Sequence, residues 1–161
     1  MTTTDEPTTS PTADREIVVT RLVDAPRELV WRVWTEPGHI AKWWGPNGFT
    51  NTIHEMDVRP GGIWRFIMHG PDGVDYPNRV DYQEVVRPER LVYLHGDDGG
   101  DESRHFHVTV TFADEGGKTR LTMRSIFATP EARDYVVREF GAIDGAHQTL
   151  TRLEEYVAKM R

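Results

Sequence analysis

The chain has no cysteine in 161 residues. Disulfides, zinc–thiolate centres and thiol nucleophiles are therefore excluded, and a reducing cytoplasm is the easier fit. It also lacks any run of about 18 apolar residues, so no transmembrane helix and no membrane insertion are expected. The start, Met1-Thr2-Thr3-Thr4-Asp5-Glu6, has neither the basic nor the apolar part of a signal peptide. Positive charge is in deficit, with 19 Lys and Arg against 26 Asp and Glu and a formal net charge of −7. Nucleic acids and anionic membranes need a concentrated basic surface, so neither is expected as a partner. Ser-His-Asp order, phosphate loop and dinucleotide fingerprint are all missing, and no cofactor is called for. Gly61-Gly62 and Gly99-Gly100 read as turn glycines.

What is present reads as one domain over residues 15–161 behind a disordered tail over residues 1–14. A chain of this length buries roughly 68–70% of its unfolded surface, enough for a real core. Glu16 to Val23 reads as a strand, followed by two short helices. The first carries Leu29, Val30, Val33 and Trp34; the second carries Ile40, Ala41 and Trp43. From Phe49 to Phe127 the pattern is strand and turn. Thr52, His54, Met56 and Val58 share one face, as do Trp64, Phe66 and Met68, and Asn78, Val80, Tyr82 and Glu84. Phe106, Val108, Val110 and Phe112 alternate cleanly with His105, His107, Thr109 and Thr111. Hairpin-length turns imply antiparallel pairing, and a meander with one apolar face needs a cover.

That cover is the last stretch, Thr129 to Met160. Val136, Phe140, Ile143, Leu150, Leu153 and Val157 recur at steps that place them on one helical face. Its middle is thin: Gly141, Ala142, Gly145 and Ala146 separate the bulky residues. Each interior glycine costs roughly 1 kcal/mol relative to alanine. Two readings stay open. Either the helix kinks or divides near Gly145, or the small residues leave space for a ligand or a close neighbour.

Several stretches, taken together, resemble one family. They are Asp24-Ala25-Pro26-Arg27-Glu28-Leu29-Val30-Trp31, Trp43-Trp44-Gly45-Pro46, Asp57-Val58-Arg59-Pro60-Gly61-Gly62 and Pro88-Glu89-Arg90-Leu91. Gly145-Ala146-His147-Gln148-Thr149-Leu150 with Arg152-Leu153 completes the set. The sequence resembles the bacterial proteins similar to the C-terminal domain of the activator of the heat-shock-protein-90 ATPase, within the START-like, or SRPBCC, superfamily. The resemblance implies an α+β helix-grip fold: a curved antiparallel sheet of six to seven strands around a long C-terminal helix, with a cavity between. Members bind lipids, sterols, polyketides or hormones, and a few catalyse cyclisation or dehydration. Many relatives carry tryptophan where this chain has Ala146; the resemblance implies that alanine there either enlarges the cavity or removes a lid contact.

The leading expectation is a non-catalytic protein that binds a small apolar or lipid-like molecule in that cavity. The expected walls are Met56, Trp64, Phe66, Val80, Tyr82, Tyr93, Phe106, Val108, Met123, Phe140, Ile143 and His147. One alternative is a chaperone-ATPase-activator-like interaction module, with a chaperone as partner. Another is a cyclase- or dehydratase-like enzyme using His147 with Tyr82, Glu84 or His95. A homodimer is left open. Arg21 alternates with Ile17, Val19 and Val23 and is read as an inward residue, either a structural partner of Glu84 or a carboxylate clamp. His105 and His107 have a metal-compatible spacing, with Asp101 and Glu102 nearby, but oppose the apolar face; no metal is expected there. The five tryptophans read as core or cavity wall.

Overall fold

The computed structural model describes residues 11–98 and 105–160. Seven strands form one antiparallel sheet in the order β1-β7-β6-β5-β4-β3-β2. They are β1 (Glu16–Val23), β2 (Thr50–Met56), β3 (Ile63–His69), β4 (Asp75–Val86), β5 (Arg90–Asp97), β6 (Phe106–Glu115) and β7 (Lys118–Ile126). Two short helices, α1 (Arg27–Thr35) and α2 (Pro37–Ile40), follow β1. The chain ends in α3 (Pro130–Phe140) and α4 (Ala142–Lys159). This is the α+β helix-grip architecture: a curved open sheet closed over by C-terminal helices.

The expected tail lies outside the described residues through residue 10. A 3-10 turn at Ala13–Arg15 leads into β1, and Arg15 donates to the carbonyl of Phe127 at 2.6 Å.

The inner face of the sheet follows from alternation. Tyr82, Tyr93, Val108, Ser125 and Ile17 are successive cross-strand partners from β4 to β1. Met56, Trp64, Val80, His95 and Phe106 form the neighbouring row from β2 to β6. Two register shifts break the period. One, between Ile53 and Glu55, puts Ile53 as well as Met56 against the core and leaves His54 exposed. The other, between Tyr82 and Glu84, lets Glu84 pair with Arg90. The expected Arg21–Glu84 pair therefore does not form. Arg21 instead ties β1 to α4, donating to Thr151, Glu154 and the carbonyl of His147.

Helix α1 buries Val30, Trp31, Val33 and Trp34. Each such side chain contributes roughly 1.5–3 kcal/mol when fully buried. Trp34, Trp43 and Trp44 pack edge to face with centroids 5.0–5.7 Å apart. Trp31, Trp34, Trp43 and Trp64 are core, and Trp44, buried as well, also faces the pocket between the sheet and the C-terminal helices. The C-terminal stretch is two helices. The break is at Gly141, which caps α3 in the left-handed conformation (φ 59°), four residues before the expected position. Thr129 caps α3 by accepting from the amide of Ala132.

Candidate functional site

Between the sheet and the two C-terminal helices lies a pocket of about 1080 Å3. Three walls make it. Its floor is sheet, through Tyr93, His95, Phe106, Val108 and Met123, with Phe127 just past the end of β7. Its roof is helix: Ala132, Val136 and Phe140 from α3, Ala142 and Ala146 from α4. The third wall is the loop after α2, through Trp44, Gly45, Pro46 and Phe49. The small residues of α4 now have separate reasons. A Cβ on Gly145 would sit 3.3 Å from Pro46, so this glycine admits the loop; Ala142 and Ala146 leave the pocket room.

Arg152 fixes that loop. Its guanidinium donates to the carbonyls of Trp44, Gly45 and Pro46 through Nη1, and to Phe49 through Nη2, at 2.9–3.2 Å. Burial pulls its pKa down from the usual arginine value, because the charge has exchanged water for backbone oxygens. Gln148 adds a bond by accepting from the amide of Asn47 at 3.0 Å.

At the sheet end of the pocket, Nε2 of His95 lies 2.9 Å from Oδ1 of Asn78. The ring sits among Phe106 (centroids 4.9 Å), Phe66, Tyr93 and Trp44. Burial first, and the nearby His105 second, push its pKa down to about 4. His95 is therefore neutral at pH 7 although the pocket reaches it. Burial likewise raises the Tyr93 phenol, keeping it protonated. Among the described residues, two carboxylates, Asp97 and Asp144, line the pocket and no Arg or Lys does. Arg21 is thus no carboxylate clamp here.

These features meet a family-level match. The model for "Activator of Hsp90 ATPase homolog 1-like protein" matches residues 24–158. The chain belongs to that family. No curated protein matches the sequence. Among solved structures, NE0264 from Nitrosomonas europaea is 25% identical with a TM-score of 0.80, over 95% of this chain and 100% of that one. Ms6760 from Mycobacterium smegmatis is 27% identical with a TM-score of 0.80, over 89% and 91%. CV1439 from Chromobacterium violaceum is 26% identical with a TM-score of 0.74, over 87% and 95%.

Within this family member, the residues expected at the cavity divide. Tyr93, Phe106, Val108, Met123 and Phe140 line the pocket, Phe140 at its rim with 57% exposure. Trp64, Phe66, Val80 and Tyr82 are buried in the core beside it, with Trp64 and Phe66 stacked at 4.0 Å. Met56 and Ile143 pack partly buried against the core. His147 is exposed. Past Gly141 the inward stripe runs Ala142, Ala146, Leu150, Leu153 and Val157, so Ala146 and not His147 precedes Leu150.

His105 was expected to face solvent with His107. Its ring instead packs on Gly96, where a Cβ would come within 1.9 Å of it, and its Nε2 is buried. His107 is exposed. No group of three or more metal-ligating side chains occurs among the described residues, and Asp101 and Glu102 lie outside them. No described helix is long and apolar enough to cross a membrane.

Residue patterns alone left out Asn78 and Arg152 as site residues and offered His95 only as a partner of His147 in the enzyme reading. His95 continues the alternation of Leu91 and Tyr93, and Asn78 that of Val80 and Tyr82, so both carried a signal. Arg152 carried none beyond its place in the family stretch.

Proposed function

We propose that the protein binds a small, mostly apolar molecule in this pocket. One observation carries the reading: about 1080 Å3 between sheet and helices is left unfilled by a wall that is largely aromatic and aliphatic. That volume matches the upper end of ordinary ligand sites, roughly 300–1,000 Å3, which are apolar with a few placed polar groups. Small residues on α4 keep it open, and an arginine is spent on holding its loop wall. His147 lies on the surface, so an acid–base role inside the pocket gains no support from it.

Native mass spectrometry of freshly purified protein, paired with Nile red titration of delipidated protein, tests the reading. The expected result is a co-purifying small molecule or saturable dye fluorescence that an apolar competitor displaces. Protein that carries nothing and leaves Nile red dark overturns it.

A further inference from the structure

Resting on the pocket-binding reading, the hydrogen bonds around His95 specify one end of the ligand. The carbonyl of Tyr76 only accepts, and Nδ2 of Asn78 donates to it at 2.8 Å. Oδ1 of Asn78 must then face His95 as an acceptor, so the ring nitrogen opposite it, Nε2, carries the proton. A neutral ring protonated on Nε2 leaves Nδ1 as a bare acceptor. Nδ1 has no partner among the described residues, and it is not among the sealed-in polar atoms, which are Asn51 Oδ1, Trp64 Nε1 and His105 Nε2. It opens on the pocket that the ring lines.

Other polar groups there are occupied or adaptable. Thr149 donates to the carbonyl of Gly145, and Gln148 accepts from Asn47. The hydroxyls of Tyr93 and Ser125, 1% and 9% exposed, line the pocket without a partner among the described residues and can donate or accept. Nδ1 has a fixed role and requires a donor; the indole N–H of Trp44, also on the pocket wall and without a hydrogen-bond partner among the described residues, can only donate. Charged ends fare badly. A carboxylate meets an acceptor nitrogen, two acidic side chains and no cation; an ammonium, although those side chains attract it, gives up its hydration on entering a largely apolar wall.

We infer that the pocket takes an uncharged apolar molecule bearing a hydroxyl, which donates to Nδ1 of His95 and accepts from the hydroxyl of Tyr93. A ligand that only fills the apolar walls leaves both groups unpaired. Each hydrogen bond forfeited costs roughly tenfold in affinity.

The test uses one naphthalene skeleton with four ends on the full-length protein: 2-naphthol, 2-methoxynaphthalene, 2-naphthoate and 2-naphthylmethylamine. Wild type should bind 2-naphthol about tenfold more tightly than the methyl ether, and the two charged probes more weakly still. His95→Phe keeps an aromatic ring but no acceptor. It should erase the preference for naphthol over the ether. Long-range proton–nitrogen NMR of wild type supplies a readout that needs no variant: His95 should be protonated on Nε2 alone at neutral pH. Equal binding of naphthol and ether, tighter binding of either charged probe, or a proton on Nδ1 overturns the hydroxyl assignment and leaves pocket binding standing. No uptake of any of the four overturns both.

Discussion

His95 pays for its position in the acid range. In the unfolded chain its pKa is near 6.5, and in the fold it is about 4. The unfolded state therefore binds the extra proton first, and stability falls as pH drops from 6.5 toward 4. Above pH 6.5 the ring is neutral in both states and costs nothing. The groups facing it are Asn78, the neutral Tyr93 and His105, whose proximity adds to the shift. The full loss by pH 4 is on the order of 2–3 kcal/mol. Carboxylates titrate in the same range, so the comparison matters: urea unfolding of wild type and His95→Phe should show wild type losing more stability between pH 7 and pH 4.5. Parallel losses mean the imidazole is not desolvated. A second residue tests the space itself. Ala146 lines the pocket, so Ala146→Trp puts an indole into it. Overpacking a filled core costs typically 1–3 kcal/mol, whereas filling a void buries apolar area at about 25 cal/mol per Å2. The expected variant melts at or above wild type and no longer takes up Nile red. A variant melting well below wild type places position 146 against packed neighbours.

Among the elements, the loop between α2 and β2 depends most on one side chain. Arg152 supplies donors to four of its carbonyls, and no other described residue bonds those of Gly45 and Phe49. Arg152→Met keeps the aliphatic stem and strands the carbonyls, a loss of about 2–4 kcal/mol. Arg152→Lys should recover only part, since a single ammonium cannot span the fork. Thermal melts of the three proteins check the order, and Nile red uptake should fall with stability as the wall loosens. Element by element, the sequence was readable where one period ran unbroken. Phe106, Val108, Val110 and Phe112 alternate without a register shift, and β6 faces the core as that alternation requires. It was less readable where a local irregularity reset the phase. The shift at His54 turns Ile53 inward, and the shift beyond Tyr82 frees Glu84 for Arg90. The C-terminal stripe concealed its own break, because Val136, Phe140 and Ile143 keep helical steps across Gly141. Pocket polarity was hidden for another reason. His95 and Asn78 share faces with Tyr93 and Val80, but a cavity wall tolerates polar residues that a filled core excludes, and alternation does not distinguish the two.

Across the whole molecule, stability is spread unevenly, and the pocket lies on the boundary. Helix α4 drives Leu150, Leu153 and Val157 fully into the core and is bonded to β1 through Arg21 and to the loop wall through Arg152. Helix α3 buries no residue completely. It is separated from α4 by a left-handed glycine, and Ala132, Val136 and Phe140 face the pocket in place of solid core. Amides protected only by such partial contacts open at low free-energy cost, while those of α4 and the central strands report the global stability. Hydrogen exchange on free protein should therefore show residues 130–140 exchanging much faster than residues 149–157. Occupying the pocket gives α3 the apolar partner it lacks. At a ligand concentration 100 times Kd the folded state gains about 2.7 kcal/mol overall. In exchange data that gain should concentrate in α3, with α1 and β2, which contribute no pocket wall, changing little beyond the global increment. Adding 2-naphthol to saturation and mapping protection by peptide distinguishes the cases. Slowing confined to α3 and the loop at residues 44–49 places the ligand between sheet and helices. Slowing confined to the outer face of the sheet, or an α3 already as protected as α4 without ligand, is incompatible with a pocket whose roof is held up by what it binds.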